Sequence, residues 1–447
     1  MRIGGIKTNR RNNQYWDREI ETIPLPKLRD LQLKRLKNMV KYAFDNVPLY
    51  KRKFDKAGIK PDEIRKLADI TKLPFTGKEE LRSSYPFGMV AVPFDEIVRI
   101  HATSGTTGKP TVACYTKKDI ETWTDVMARC MYAAGVRHND IVQNAYGYGL
   151  FTGALGFHYG GERIGATIIP TGSGNTQRQL MIIKDFGTTV LCSTPSFAAY
   201  LAEVAKDQGM NMSEDMQIRL GLFGAEAWSD ELRKRIEHEY NMLAIDFYGL
   251  AEIIGPGVSV ECREKNGLHL WSDHFYAEII DPETGLVLNP GERGELVITA
   301  LTKEGIPIIR YRTKDLTILN EEGCECGRTH PRIARILGRS DDMIVIRGVN
   351  VFPSQIEHAL IGIGGVTLNY QIVPKRVSRL DVEILDHLLV RVEPEEAIWK
   401  NKRLGDELKK EINEQLRNAL GLRTEVELVA PGSLPRSTGK AKRIVEE

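Results

Sequence analysis

The sequence predicts an α/β protein. A large N-terminal domain with parallel sheets and a small β-barrel-like part is followed by a small α+β C-terminal domain. Three observations predict this. From about Ile97 to Arg310, short β-branched runs alternate with amphipathic helical stretches, the pattern of a parallel α/β sheet. Next, Tyr276-Ala-Glu-Ile-Ile and Gly294-Glu-Leu-Val-Ile-Thr flank turn-rich segments and read as antiparallel strands. Finally, the texture changes around Gly338-Arg-Ser-Asp-Asp-Met343, which sets the N-terminal domain at 1–340 and the C-terminal domain at 341–447. A chain of 447 residues has ample core for two or three domains.

In chain order, the stretch from about Leu25 to Ile64 reads as mostly helical. Leu28, Leu31, Leu33, Leu36, Met39, Val40 and Ala43 fall near helical spacing, and Pro48 stops the first helix. Strands are predicted at Thr167-Ile-Ile-Pro, Thr189-Val-Leu-Cys-Ser and Leu243-Ala-Ile-Asp-Phe-Tyr. Helices are predicted at Thr176 to Phe186, Ser196 to Gln208 and Ser229 to Tyr240. Beyond Met343, the run Ile-Val-Ile-Arg-Gly-Val-Asn-Val leads into a helix opening at Pro353.

Composition narrows the function. Sixty-two basic against 60 acidic residues, a formal charge of +2, give no reason to expect nucleic acid or an anionic membrane as partner. No apolar run approaches the roughly 18–20 residues that span a bilayer. The basic start, Met1 to Arg11, lacks the apolar segment of a signal peptide, so a cytoplasmic location is the expectation. Six cysteines in so long a chain do not make a disulfide scaffold. Cys114, Cys130 and Cys192 read as buried apolar residues.

The chemistry starts at Thr103-Ser-Gly-Thr-Thr-Gly-Lys-Pro110, which joins four hydroxyls, two glycines and a lysine. Glycines let backbone close around a ligand, and N–H groups with hydroxyls then point at one anion. The spacing is not that of GxxxxGK[ST], because two residues separate Gly105 from Gly108. Further on, Phe223-Gly-Ala-Glu-Ala-Trp228 and Tyr248-Gly-Leu-Ala-Glu252 each follow a predicted strand, where α/β sheets bind ligands. Tyr311-Arg-Thr-Lys-Asp315 and Leu434-Pro-Arg-Ser-Thr-Gly-Lys-Ala-Lys-Arg-Ile444 complete the series.

In this order, these motifs resemble those of the adenylate-forming enzymes. Longer stretches are similar to the phenylacetate–coenzyme A ligases: Asn144-Ala-Tyr-Gly-Tyr-Gly-Leu-Phe-Thr-Gly-Ala-Leu-Gly-Phe-His158, Leu268-His-Leu-Trp-Ser-Asp-His-Phe275, Cys326-Gly-Arg-Thr-His-Pro-Arg-Ile333 and Gly338 to Glu357. The resemblance implies an ATP-dependent ligase that forms an acyl-adenylate and passes the acyl group to coenzyme A, releasing AMP and pyrophosphate. Thr103, Ser104, Gly105, Thr106, Thr107, Gly108 and Lys109 would hold the ATP phosphates. Gly224, Ala225 and Glu226 would line the adenine pocket beside Tyr248 and Gly249. Asp315 would take the ribose, with Arg339 nearby. Glu252 would help bind Mg²⁺, a hard cation suited to carboxylate oxygens. Lys440 would approach the carboxylate and α-phosphate, where two anions meet and cationic stabilisation is needed. Tyr146, Phe151 and Gly224 would line the slot for a flat aryl acid.

The resemblance further implies a mobile C-terminal domain that turns about Asp341 between half-reactions. That turn would bring Gly348 to the coenzyme A channel, where a side chain would obstruct the thiol arm. One departure is Ala251, where the superfamily commonly carries a hydroxyl. Two other functions stay open: adenylyl transfer to a deazaflavin cofactor by a related enzyme, and a non-catalytic nucleotide-binding protein. Intact Lys109, Glu252, Asp315 and Lys440 argue against the latter. The expected partners are a small-molecule acid, ATP and coenzyme A, and a homodimer stays open.

A separate motif concerns metal. Cys324-Glu-Cys326 forms a C-x-C pair in a turn, and Cys262 and His269 lie upstream in a predicted hairpin. Thiolates and imidazole suit tetrahedral Zn²⁺ in a structural role. His330 is the alternative fourth ligand.

Overall fold

The computed structural model describes residues 14–103, 109–341, 344–346, 349–379, 382–435 and 443–445. Among these, no helix is long and apolar enough to cross a membrane.

The N-terminal part is built on a twelve-stranded sheet. Strands Thr167–Ile169, Ile141–Asn144, Val190–Ser193, Leu220–Gly224 and Leu243–Leu250 lie side by side and parallel. Val190–Ser193 and Leu220–Gly224 are buried along their whole length. That burial explains why they read as continuous apolar runs rather than as alternating ones. Beyond Leu243–Leu250 the sheet turns antiparallel, through Gly255–Glu261, Leu268–Leu270, Arg332–Ile333, Tyr311–Asn320, Arg293–Ala300 and Phe275–Ile280. The segments predicted as a barrel-like part thus continue the same sheet, joined to the parallel strands through Tyr311–Asn320, Arg332–Ile333, Leu268–Leu270 and Gly255–Glu261.

Helices cover this sheet because their apolar stripes need a partner. Leu25–Asn46 buries Leu28, Leu36, Met39, Val40 and Ala43, and it ends where Val47 turns extended ahead of Pro48. Lys117–Ala134 starts at a reciprocal cap, with the Asp119 N–H bonding Thr116 Oγ1 at 3.1 Å and the Thr116 N–H bonding Asp119 Oδ2 at 3.0 Å. It stops at Gly135, whose φ of 115° a residue with a Cβ adopts rarely.

The C-terminal unit carries its own core. Val366–Arg379 and Val382–Pro394 form an antiparallel pair, and Glu425–Leu428 joins parallel to the second strand. Helix Lys402–Leu420 lays Leu408, Ile412, Leu416 and Leu420 against them at four-residue spacing. Helix Pro353–Ile361 packs on the same core and also touches helix Asp230–Tyr240 of the large domain.

Candidate active site

Parallel neighbours deliver the residues after each strand to one edge of the sheet. Val190–Ser193, Leu220–Gly224 and Leu243–Leu250 are such neighbours, so Ser196, the Gly224-Ala-Glu turn and Tyr248 converge. Gly224 is demanded by packing as well as by any ligand: a Cβ there would stand 2.4 Å from the Phe247 carbonyl oxygen. Ala225 follows with φ of 71°, a left-handed conformation that costs about 1–2 kcal/mol for a residue with a Cβ. The turn is pinned from the next position, where Glu226 Oε1 accepts the Ser196 N–H at 2.8 Å.

Tyr248 donates its hydroxyl to Asp315 Oδ2 at 2.7 Å. Burial first, and then the Asp315 carboxylate, push the phenol well above its usual range and keep it a neutral donor. Arg339 holds the other oxygen of Asp315 at 3.0 Å and grips both oxygens of Asp341 at 2.8 and 2.9 Å. The adenine platform, the ribose carboxylate and the hinge residue of the sequence reading are therefore one connected polar chain.

The loop that the sequence reading assigns to phosphate is bounded by a pair of hydrogen bonds. The Thr103 N–H donates to the Thr111 carbonyl at 2.9 Å, and the Thr111 N–H donates to Thr103 Oγ1 at 3.0 Å. Lys109 is exposed, with its ammonium 5.5 Å from the centre of the Tyr85 ring. Ser104, Gly105, Thr106, Thr107 and Gly108 lie outside the described residues, as do Gly348 and Lys440.

Glu252 sits in the turn after Leu243–Leu250 and is buried. Tyr311 donates to its Oε1 at 3.3 Å, and Lys303 donates to its main-chain oxygen at 3.0 Å. Lys303 is itself buried beneath the Tyr115 ring, 4.9 Å from its centre. Burial lowers its ammonium to about 8, although Asp119, Glu252 and Cys114 pull the other way. Sequence reasoning missed Lys303 because a lysine in a Thr-Lys-Glu-Gly turn is ordinarily solvated.

On the acid side, Tyr146 is buried and stacks on Phe157 at 5.1 Å, and Phe157 in turn meets Phe247 at 5.0 Å. Phe151 stands apart from that stack, 55% exposed in the loop after Tyr146. The Leu150 main chain helps tie the loop down, its oxygen accepting the Ala102 N–H at 3.0 Å and facing His101 Nδ1 at 2.9 Å, and the Tyr148 hydroxyl is held by Asn144 at 2.9 Å.

Comparison with known proteins gives the family. The AMP-binding enzyme model matches residues 20–301, and the AMP-binding enzyme C-terminal domain model matches residues 348–447. A phenylacetate–coenzyme A ligase of Pseudomonas putida is 48% identical over 445 residues, covering 97% of this chain and 99% of that protein. The chain belongs to the phenylacetate–coenzyme A ligase family. A 2-hydroxyisobutyryl-CoA ligase solved with 2-HIB-AMP in the postadenylation state is 32% identical to this family member and superimposes with a TM-score of 0.91. That match covers 98% of this chain and 93% of the other. The same ligase with 2-HIB-AMP and CoA, in its thioester-forming state, gives 0.72 over the same coverage. The arrangement of this family member is thus more similar to that ligase's postadenylation structure than to its thioester-forming one.

This ligase-family chain carries a second cluster of reactive groups, built from residues outside the Tyr248–Asp315–Arg339 chain. Donor atoms of Cys262, His269, Cys324 and Cys326 all lie within 4.8 Å of one another. The Cys262 and Cys324 sulfurs are 3.8 Å apart, and Cys326 Sγ is 3.3 Å from His269 Nε2. A disulfide needs about 2.05 Å. A tetrahedron with Zn–S bonds of about 2.3 Å has sulfur–sulfur edges of about 3.8 Å. The donor set fits zinc. His330, the alternative ligand, is engaged elsewhere: Nδ1 accepts the Ser272 N–H at 3.0 Å, and Nε2 faces the Ile20 oxygen at 2.8 Å. The same loop clasps the N-terminal segment. Tyr15 donates to the Cys326 oxygen at 2.9 Å, and Arg328 pairs with buried Glu21 at 2.7 Å.

Proposed function

We propose that this protein is an AMP-forming acid–thiol ligase that activates an aryl acid of the phenylacetate type and transfers it to coenzyme A. The observation that carries this reading is the 48% identity to a phenylacetate–coenzyme A ligase across nearly the whole of both chains. The Tyr248–Asp315–Arg339 chain supports the nucleotide side.

In this reading the carboxylate attacks the α-phosphate of ATP, forming an acyl–O–P bond as pyrophosphate leaves. The coenzyme A thiol then attacks the acyl carbon and AMP leaves. Thr103 to Lys109 hold the phosphates, and Gly224, Ala225, Glu226, Tyr248 and Gly249 surround adenine. Asp315 takes the ribose hydroxyls. Glu252 offers its carboxylate to Mg²⁺, which supplies charge neutralisation at the phosphates when bound. Lys440 steadies the two anions as they meet. Tyr146 and Gly224 wall the acid slot, with Phe151 at its rim. Asp341 is the hinge between domains 1–340 and 341–447, and Gly348 serves the coenzyme A step. Cys262, His269, Cys324 and Cys326 hold a structural Zn²⁺.

Incubation with ATP, Mg²⁺, coenzyme A and a panel of acids tests the proposal. Phenylacetyl-CoA, AMP and pyrophosphate in equal amounts are expected. Turnover with aliphatic acids but none with aryl acids would overturn the substrate class, and no turnover with any acid would overturn the activity.

A further inference from the structure

The contact between the two domains is built around one carboxylate. Glu357, on helix Pro353–Ile361, accepts the Tyr370 hydroxyl of its own domain at 2.9 Å. The main chain of Ser229, which caps helix Asp230–Tyr240 of the large domain, also hydrogen-bonds it. Glu226 of the adenine turn and Arg443 both face it. Burial outweighs these partners and raises the Glu357 carboxyl above the usual carboxylate range.

Arg443 connects this knot to the reaction. Its guanidinium lies 4.2 Å over the Tyr370 ring, and its carbonyl accepts the Ile372 N–H at 2.8 Å. Lys440 is three residues away in the chain. Two neighbouring contacts cross the same boundary: His358 Nδ1 lies 2.8 Å from Glu231 Oε2, and Arg293 lies 5.4 Å over the Phe352 ring. A carboxylate at the first turn of a helix also meets the positive end of its dipole.

We propose that Glu357 is a positioning residue for adenylate formation: it bonds the C-terminal domain to the start of helix Asp230–Tyr240 and so holds that domain in the arrangement from which the adenylate forms. Breaking this contact is then part of the turn towards thioester formation. The inference rests on the acid–thiol ligase reading and on the postadenylation-like arrangement of the domains.

The test separates the half-reactions. Glu357→Ala is expected to lower phenylacetate-dependent ATP–pyrophosphate exchange about tenfold, the size of one charged hydrogen bond. Consumption of supplied phenylacetyl-adenylate by coenzyme A should stay within about twofold of wild type. Glu357→Gln, which keeps the side-chain length and one acceptor oxygen, should recover part of the exchange lost in Glu357→Ala. An equal fall in both half-reactions, or unchanged exchange, overturns the proposal. If the wild-type protein shows no exchange with phenylacetate, the ligase reading fails, and hydrogen–deuterium exchange then judges the contact independently. Faster exchange of the Ser229 to Leu232 amides in Glu357→Ala supports it, and identical exchange overturns it.

Discussion

Replacing Lys303 with methionine should stabilise the protein at neutral pH while damaging its chemistry. The ammonium is buried, and burial lowers it from 10.5 to about 8. At 1.36 kcal/mol per pH decade, keeping it charged in the fold costs about 3 kcal/mol. Methionine removes that cost and leaves the Glu252 carbonyl without its donor, a loss of about 1 kcal/mol. The net expectation at pH 7 is about 2 kcal/mol of added stability. The pH dependence has a definite sign. Between about 8 and 10.5 the unfolded lysine binds more proton than the folded one, so wild-type stability rises with pH through that window. The advantage of Lys303→Met must therefore shrink from about pH 8, vanish at about pH 9.5 and become a deficit of about 1 kcal/mol, the lost hydrogen bond, by about pH 10.5. Urea unfolding of both proteins at several pH values measures this difference and cancels every other titrating group. Turnover at varied Mg²⁺ should fall about tenfold, because the turn holding Glu252 loosens. A variant less stable than wild type at pH 7, or a stability difference constant with pH, would refute the reasoning.

Other outcomes follow from the same geometry. Purified protein should contain one zinc per chain. Cys326→Ser should reduce that content and the melting temperature together, and a metal content well below one per chain in wild type disposes of the site. Asp315→Asn should raise the KM for ATP roughly 10- to 100-fold with a smaller change in kcat, since a charge-assisted bond to the ribose is lost. A fall confined to kcat would argue for a different role. Lys440→Ala should abolish adenylate formation yet leave thioester formation from supplied adenylate largely intact; measuring the two half-reactions separately decides it.

Much of this was legible in the sequence because the signals are local. Thr176–Asp185, Pro195–Asp207 and Asp230–Tyr240 are amphipathic helices between apolar strands, and each lies within a residue or so of the stretch that predicted it. The turn residues after the strands were legible too, since parallel pairing brings them to one edge. What stayed hidden depends on long-range packing. Nothing in the turn after Ala300 marks Lys303 as buried, and no spacing rule pairs Cys262 with Cys324 across 62 positions. The choice of His269 over His330 needed the hydrogen-bond partners of both rings. Glu357 reads as an ordinary helix-surface residue until Ser229, Tyr370 and Arg443 surround it.

The clasp between the N-terminal segment and the cysteine loop has a consequence for how the chain is made. Tyr15 bonds Cys326 across 311 positions, and Glu21 bonds Arg328 across 307. During synthesis at about 5–20 residues per second, the Tyr15–Glu21 segment waits at least about fifteen seconds for its partner. Through that interval Glu21 lacks its Arg328 partner, while Trp16 of the same segment has Asp125 and Tyr132 of helix Lys117–Ala134 to pack on. Translation speed and metal supply would thus meet at one point, because the loop that captures the Tyr15–Glu21 segment is the one that carries two of the four candidate zinc donors.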